Sequence, residues 1–247
     1  MKKSIEVLTD KTSLIARARA IILSELESAI QNNGFFTIAL AGGGTPKPLY
    51  ESLATQDLPW DKIHIFWGDE RYVSADNTDS NQLMAREAWL DKVAIPPENV
   101  HPMVVNGNSP EDDAALYERE LRKFFGVAAG EFPQFDLILL GMGDDGHTAS
   151  LFPHTPVLQE KDRAISVGEK SGQPRITFTV PLINRANCVL FLVAGANKQN
   201  ALKHIFSLDA DENVYPARLV RPQGELWWLL DETAGKFLKN DEVSPIS

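Results

Sequence analysis

The chain has 247 residues, of which 43% are hydrophobic, 23% charged and 9% aromatic. This composition is that of an ordinary globular protein and excludes collagen, a coiled coil and a wholly disordered chain. With 24 Lys and Arg against 34 Asp and Glu, the formal net charge of −10 leaves no general basic surface for nucleic acid. A local group of basic side chains can still bind one small phosphate.

The single cysteine, Cys188, excludes an intramolecular disulfide framework and a thiolate-rich zinc site. It lies in an apolar run and is expected to be an inert buried thiol. No apolar stretch approaches the roughly 20 residues that a membrane span needs. Glu6 interrupts the N-terminal segment before a signal-like apolar core forms. We therefore expect a cytoplasmic protein that does not bind membranes.

Apolar runs alternate with amphipathic stretches along the chain. Helical spacing covers residues 14–30, strand-forming residues follow at 35–41, and Thr45 and Pro46 suit the N-cap and first position of a second helix. The later strands are expected at residues 63–67, 135–140, 176–180, 188–193 and 226–230, and the later helices at 80–90, 110–125, 197–206 and 232–238.

Strands that are apolar throughout and separated by helices indicate a parallel sheet that is covered on both faces. We therefore predict a single doubly wound, Rossmann-like α/β domain over residues 1–247, with a mostly parallel sheet flanked by helices. In such a sheet, ligands bind beyond the carboxyl ends of the strands. The residues that follow each strand are therefore the candidates for function.

The first such segment is Gly42-Gly43-Gly44-Thr45, between a predicted strand and a predicted helix. Glycines let backbone N–H groups approach an anion closely, and the start of a helix adds the positive end of its dipole. The run is neither G-x-G-x-x-G nor a P-loop, so it does not indicate a nucleotide site. A tight turn that needs glycine only for its dihedral angles is the alternative, but the setting favours an anion site.

The second segment, Asp69-Glu70-Arg71, follows the strand predicted at 63–67. Three consecutive charges are costly to bury unless they are paired or face a ligand. Arg71 is suited to a carboxylate or phosphate, and a carboxylate can orient hydroxyl groups or water. A solvated loop, in which Arg71 pairs locally with Asp69 or Glu70, is the alternative.

The third segment begins at Gly141, after the strand predicted at 135–140, and contains three glycines in six residues. It presents Asp145 and His147 where the next helix is expected to begin. A histidine can take a proton from water, and a nearby carboxylate can fix its tautomer. The alternatives are a structural histidine and an Asp145 that bonds backbone N–H groups of a turn. Neither H-x-x-x-H nor G-x-S-x-G is present, which argues against a zinc hydrolase or an acyl-serine esterase.

Two basic residues complete the candidates. Arg175 lies at the start of a predicted strand, and Lys198 lies in the first turn of the helix predicted at 197–206. The helix dipole disfavours a cation at that end, so Lys198 is better explained if an anion lies between it and the helix. An exposed lysine is the alternative.

Together these motifs resemble those of the 6-phosphogluconolactonases, which share a fold group with the glucosamine-6-phosphate deaminases. The similarity runs from about residue 8 to residue 238. It rests on four motifs in family order: Ala41 to Pro46, Gly68 to Arg71, Gly141 to Pro153 and Gly195 to Lys198. Deaminases usually have G-H-I-A-F-N-E-P at the third motif, and Tyr at the position of Arg71. The segment Ser150-Leu151-Phe152-Pro153 carries no such glutamate, which favours the lactonase branch.

The resemblance implies hydrolysis of 6-phospho-D-glucono-1,5-lactone to 6-phosphogluconate in the oxidative pentose phosphate pathway, without a metal or another cofactor. It makes His147 the general base and Asp69 and Asp145 orienting groups. It assigns phosphate and substrate binding to Gly43, Gly44, Thr45, Arg175 and Lys198, while Arg71 either holds the phosphate or polarises the lactone.

Two alternatives are a deaminase or isomerase of amino-sugar phosphates and a non-catalytic sugar-phosphate sensor. A sensor of this fold would carry a helix-turn-helix segment, whereas one amphipathic helix is predicted before the first strand. The expected partner is a small-molecule sugar-phosphate lactone. The hydrophobic fraction of 43% does not require an obligate dimer, so a monomer or weak homodimer is expected.

Overall fold

A computed structural model describes residues 2–107 and 109–239 and contains two β-sheets. The larger sheet is parallel and has the spatial order β1 (Lys2–Leu8), β9 (Glu225–Asp231), β8 (Cys188–Val193), β5 (Leu137–Leu140), β2 (Phe36–Leu40) and β3 (Ile63–Trp67). The smaller sheet is antiparallel, in the order β4 (Asp69–Arg71), β7 (Gln173–Phe178) and β6 (Ile165–Lys170). The α-helices are α1 (Lys11–Asn33), α2 (Lys47–Leu53), α3 (Asn81–Ala88), α4 (Pro110–Phe125), α5 (Val180–Asn184) and α6 (Gln199–Ile205).

The parallel sheet separates two hydrophobic cores. Successive residues of a strand point to opposite faces, so Ile38 and Leu40 of β2 enter one core while Ala39 enters the other. The first core contains side chains of α1, α2 and α3, and the second contains side chains of α4, α5 and α6 together with the smaller sheet. All five residues of β2 are buried. The predicted doubly wound α/β architecture is therefore confirmed.

The best-predicted helices have clear end signals. Helix α4 has the predicted bounds because the Ser109 hydroxyl accepts from the backbone N of Asp112 at 3.0 Å, and Gly126 ends the helix with φ of 65°. Asp10 caps α1 in the same way, and Gly34 ends it with φ of 85°. Among the residues that the structure describes, no helix is both long and apolar enough to cross a membrane.

Several boundaries differ from the prediction. Thr45 is not an N-cap: Pro46 occupies that position without a side-chain cap, and α2 begins at Lys47. The helix predicted at 232–238 is wrong, because only a 3-10 turn, Lys236–Lys239, forms there. The strand predicted at 176–180 belongs to β7 of the smaller sheet and is antiparallel to its neighbours. Strands β1, β4 and β6 were not predicted.

The order of the strands positions a crevice between β2 and β5. From β2 the chain passes to β3 at the sheet edge, then crosses back to β5 on the other side of β2 and continues to β8 and β9. The connections that leave β2 and β5 therefore run in opposite directions. A crevice opens beyond the carboxyl ends of strands at such a switch point, and ligands bind there.

Candidate active site

A cavity of about 250 Å³ lies at this switch point. The segments that follow β2, β3, β5 and β8 form its walls, and the smaller sheet contributes Arg175. Of the site residues predicted from the sequence, only Asp145 does not line the cavity. The predicted residues that line it are Gly43, Gly44, Thr45, Asp69, Arg71, His147, Arg175 and Lys198. Separate strand ends therefore converge on one pocket, as predicted.

Asp145 holds the imidazole of His147. Its Oδ1 is 2.5 Å from Nδ1 of His147 and also accepts from the backbone N of His147 at 3.1 Å. Burial raises the pKa of Asp145, but the hydrogen bond and the charge of His147 outweigh burial and lower that pKa to about 2. An ionised carboxylate only accepts hydrogen bonds, so Nδ1 carries the proton and Nε2 is the nitrogen left to accept one.

The backbone that carries these side chains requires glycine at two positions. A Cβ on Gly143 would lie 2.1 Å from Nδ1 of His147 and 2.5 Å from Oδ1 of Asp145. Gly146 has φ of 80°, and its carbonyl accepts from the backbone N of Ala217. The helix expected after His147 does not form. A tight turn follows instead, in which Thr148 and Leu151 form an isolated bridge.

The glycine-rich loop after β2 is anchored at its base by Tyr50. The hydroxyl of Tyr50 donates to the carbonyl of Ala41 at 2.7 Å and accepts from the backbone N of Ala41 at 3.0 Å. Gly43 has φ of 93°, which favours glycine. Gly43 and Gly44 are exposed, so their backbone groups are accessible to a ligand in the cavity. The predicted anion-binding loop therefore lies between a strand and a helix, as expected, although the helix begins one residue later than predicted.

Asp69 is buried and lies within a polar network. Its Oδ2 accepts from the hydroxyl of Ser150 at 2.6 Å, and its backbone carbonyl accepts from Nδ2 of Asn81 at 2.9 Å. A Cβ on Gly42 would lie 1.8 Å from Oδ1 of Asn81, so that side chain fills the space beside the glycine loop. Asn81 lines the cavity but was not predicted, because only the folded chain brings the start of α3 to β4.

Arg71 does not pair with either neighbouring carboxylate. The carboxylate of Glu70 accepts instead from the backbone N atoms of Arg71, Asn81 and Gln82, at 2.8, 2.7 and 2.7 Å. Burial raises the pKa of Glu70, and these hydrogen bonds oppose that rise. Nη1 of Arg71 donates to the carbonyl of Asp79, while its buried Nε has no partner among the residues that the structure describes.

Arg71 and Arg175 place two positive charges on one wall of the cavity. They are opposite each other where β4 pairs with β7. Burial lowers the pKa of Arg175, and the charge of Arg71 lowers it further. Guanidinium groups remain charged, so the two side chains repel each other. A bound anion would relieve this repulsion.

Lys198 contributes a third cation from another strand end. It is the last residue of a 3-10 turn, Ala196–Lys198, and occupies the N-cap position of α6. The prediction placed it further along, in the first turn of the helix. Gly195, with φ of 104°, begins the turn, and its backbone N donates to Asp231 at 3.1 Å. His154 does not line the cavity. In the part of the chain that the structure describes, no group of three or more metal-ligating side chains is present.

Residues 9–228 match the protein family described as glucosamine-6-phosphate isomerases/6-phosphogluconolactonase. The chain belongs to this family. A Nostoc sp. protein (strain PCC 7120) named 6-phosphogluconolactonase is 62% identical to it over 238 residues, which are 96% of this chain and 99% of the relative. A Synechocystis sp. protein (strain PCC 6803) with the same name is 62% identical over 239 residues, 97% of this chain and 100% of the relative.

Solved structures show the same likeness. The structure of 6-phosphogluconolactonase from Trypanosoma cruzi has a TM-score of 0.86 and 33% sequence identity, and the match covers 96% of this chain and 97% of that one. The resemblance recognised from four sequence motifs is therefore confirmed.

Proposed function

We propose that this protein hydrolyses 6-phospho-D-glucono-1,5-lactone to 6-phosphogluconate, a step of the oxidative pentose phosphate pathway. One observation carries the proposal: an imidazole whose Nδ1 is bonded to Asp145 shares a cavity with a glycine-rich loop and three cationic side chains. The relatives that match almost the whole chain at 62% identity carry the name of this activity.

The phosphate of the substrate binds at the glycine-rich end of the cavity. Backbone groups of Gly43 and Gly44, the hydroxyl of Thr45 and the ammonium of Lys198 supply donors there, and Arg175 adds positive charge. Asp69, held by Ser150, accepts from hydroxyl groups of the sugar. Fixing the phosphate and the hydroxyl groups orients C1 of the lactone toward His147, which makes attack by water effectively intramolecular.

His147 acts as the general base. Nε2 takes a proton from a water molecule while the water oxygen bonds to C1 and the carbonyl π electrons move to the carbonyl oxygen. The carbonyl then re-forms, the bond from C1 to the ring oxygen breaks, and that oxygen takes the proton from Nε2. That transfer leaves the imidazole neutral and ready for another cycle, and the carboxylic acid loses its own proton to solvent. Asp145 stabilises the transient imidazolium throughout.

This mechanism needs no covalent nucleophile, because a lactone is an activated ester. A placed histidine contributes roughly 10²–10⁴-fold, and one donor to the developing oxyanion contributes about 10²–10³-fold. If Arg71 does not bind the phosphate, it is the donor to the developing oxyanion.

The decisive experiment measures acid release from fresh 6-phosphogluconolactone at constant pH, corrected for spontaneous hydrolysis. His147→Ala should lose about 10²–10⁴-fold in kcat while its unfolding midpoint stays near that of the unchanged protein. His154→Asn is the matched control, because His154 has φ of 58°, which Asn tolerates, and lies outside the cavity. A His147→Ala variant as active as the control would contradict the base assignment. Release of ammonia from glucosamine 6-phosphate at a comparable rate would favour a deaminase.

The protein acts as a single domain in the cytoplasm, as a monomer or weak homodimer whose partner is the small-molecule lactone. The net charge of −10 supports the absence of a nucleic-acid partner. The cavity walls come from one pair of adjoining sheets and the loops that follow their strands, which supports a complete site within one chain. Sedimentation at several protein concentrations tests the oligomeric state.

A further inference from the structure

One aromatic ring contacts the proposed base and two cationic side chains. The ring centroid of Phe152 is 4.5 Å from that of His147, 5.4 Å from Nζ of Lys170 and 5.4 Å from Cζ of Arg175. Phe152 is only 4% exposed, so packing fixes the ring. The distance from Nζ of Lys170 to the centroid of the imidazole ring therefore cannot exceed the sum of the first two distances.

The hairpin formed by β6 and β7 presents both cations on one face. Arg175 pairs with Gly168, and Lys170 lies two residues beyond Gly168 on the same strand, so all three positions face the same side. A Cβ on Gly168 would lie 2.1 Å from the backbone carbonyl oxygen of Ser150. This face of the hairpin therefore rests directly on the segment that leads from Ser150 to Phe152.

The position of Lys170 is fixed by the turn of this hairpin. Lys170 and Gln173 form the last pair, and the two residues between them, Ser171 and Gly172, have φ of 54° and 77°. Two consecutive positive φ values are typical of the tight turn that matches the twist of a two-stranded ribbon. A short, well-defined turn places the Lys170 backbone in a single register over Phe152.

We propose that Lys170 is a positioning residue for this site: its ammonium, held on the ring of Phe152, disfavours protonation of His147 and keeps the base free to accept a proton from water. The kinetic consequence rests on the proposed lactone hydrolysis, whereas the effect on the imidazole does not. Lys170 is absent from the cavity walls, so it acts through electrostatics without touching the substrate.

Other charges also act on the imidazole. Asp145 bonds it and favours its protonation, and the charged side chains that line the same cavity are Asp69, Arg71, Arg175 and Lys198. A bound phosphate neutralises much of the positive charge within the cavity, but Lys170 lies outside and keeps its effect in the complex. Burial raises the pKa of Asp145, whereas the bond from His147 and the positive charges around it, Lys170 among them, lower that pKa.

The expected effect is small but measurable. For charges about 10 Å apart and an effective dielectric constant between about 40 and 80, Coulomb's law gives a shift of roughly 0.3–0.6 pH unit in the midpoint of imidazole protonation. Because Lys170 is exposed, salt should screen this interaction; the Debye length falls to about 3 Å at 1 M ionic strength.

The kinetic test compares the pH dependence of kcat/KM for lactone hydrolysis among Lys170→Met, Lys170→Arg and Lys170→Glu at low ionic strength. The acid limb should move to higher pH by roughly 0.3–0.6 unit in Lys170→Met, by about twice that in Lys170→Glu, and not at all in Lys170→Arg. Lys11→Met is the matched control, since Lys11 is an exposed lysine at the start of α1 on the other face of the sheet. At high salt, the acid limbs of Lys170→Met and the wild-type protein should coincide.

A second measurement separates this proposal from the proposed function. The imidazole signal of His147, assigned by its loss in His147→Gln, is followed by NMR as pH varies in the absence of substrate. The midpoint of His147 protonation should move to higher pH in Lys170→Met and should not change in Lys170→Arg and Lys11→Met. An unchanged midpoint in Lys170→Met overturns the proposal whatever the kinetics show. If the protein fails to hydrolyse the lactone while the midpoint moves, the proposed function fails and the role of Lys170 stands.

Discussion

Oδ1 of Asp145 accepts two hydrogen bonds from His147, one from the backbone N at 3.1 Å and one from Nδ1 at 2.5 Å. The first bond holds the loop and the second holds the ring. Since both converge on one atom, the orientation of the imidazole is tied to the backbone between these residues. A fixed ring with a defined tautomer is what a general base requires.

Replacing the carboxylate by an amide should slow the reaction without weakening binding. Asp145→Asn keeps the shape of the side chain but removes the charge that stabilises an imidazolium, so kcat should fall by up to the roughly 10²–10⁴-fold that a placed general base contributes. KM should change little, because Asp145 does not line the cavity. Asp144→Asn, at an exposed neighbouring position, is the control. Equal kcat values for the two variants would rule out a role for Asp145.

The same carboxylate should not determine the acid limb of the pH profile. The pKa of Asp145 is lowered to about 2, so this group remains ionised at every pH at which the enzyme is ordinarily assayed.

Gly143→Ala should displace the base while leaving the phosphate site intact. The new Cβ would lie 2.1 Å from Nδ1 of His147, closer than the two atoms can approach, so the ring or the loop must move. Because a small misplacement of a catalytic group can cost about 10²-fold, we expect kcat to fall by at least that factor. The affinity for the product, measured by calorimetry, should remain near that of the unchanged protein. Unchanged kcat would show that the loop adapts without cost.

Lys198→Met should reduce discrimination between phosphorylated and unphosphorylated lactones. A hydrogen bond to a charged group contributes about 1.5–3 kcal/mol, so kcat/KM for 6-phosphogluconolactone should fall by roughly 10- to 100-fold. The value for the lactone without phosphate should hardly change. Lys203→Met, at an exposed position on α6, is the control. If both substrates lose activity equally, Lys198 does not bind the phosphate.

The same pair of substrates separates the two roles open to Arg71. If Arg71 holds the phosphate, Arg71→Met should lower kcat/KM for the phosphorylated lactone alone. If Arg71 instead polarises the lactone carbonyl, kcat for both lactones should fall by about 10²-fold or more. The buried Nε of Arg71, which has no partner among the described residues, is available for either bond.

Much of the fold could be predicted because its central strands are apolar throughout. Burial on both faces leaves no polar alternation, so β2, β5 and β8 stand out as short apolar runs. The edge strand β1 lacks this signal. Strand β1 contains exposed and half-buried residues and is stabilised by pairing with β9 from the other end of the chain, a long-range contact that local sequence does not reveal.

The residues that line the cavity were predictable where their chemistry is unusual for their position. A charged triplet after a strand and a histidine within a glycine-rich loop are hard to explain as packing. Asn81 and Ser150 gave no such signal, because a polar residue at the start of a helix or within a turn is common. Their roles depend on contacts with Asp69 from distant parts of the chain, at 2.9 and 2.6 Å.

A pair of histidines away from the cavity should make the protein less stable in mild acid. Nδ1 of His64 and Nε2 of His101 are 3.2 Å apart, and the ring of His101 stacks on Phe66 with centroids 4.3 Å apart. Burial, and then the charge of His64, lower the pKa of His101 to about 4. An unfolded histidine titrates near about 6.5, so the unfolded chain takes up the proton first and stability falls as pH decreases from about 6.5 toward 4.

Replacing this histidine by an aromatic residue that cannot be protonated should remove part of that acid sensitivity. His101→Phe keeps a ring on Phe66, and between pH 7.5 and 5 its free energy of unfolding should fall by about 1 kcal/mol less than that of the unchanged protein, after allowance for partial exposure of the site. Denaturant unfolding at the two pH values measures this difference. His204→Phe, at an exposed position, should behave like the unchanged protein. An equal pH dependence in His101→Phe and His204→Phe would place the acid-sensitive group elsewhere.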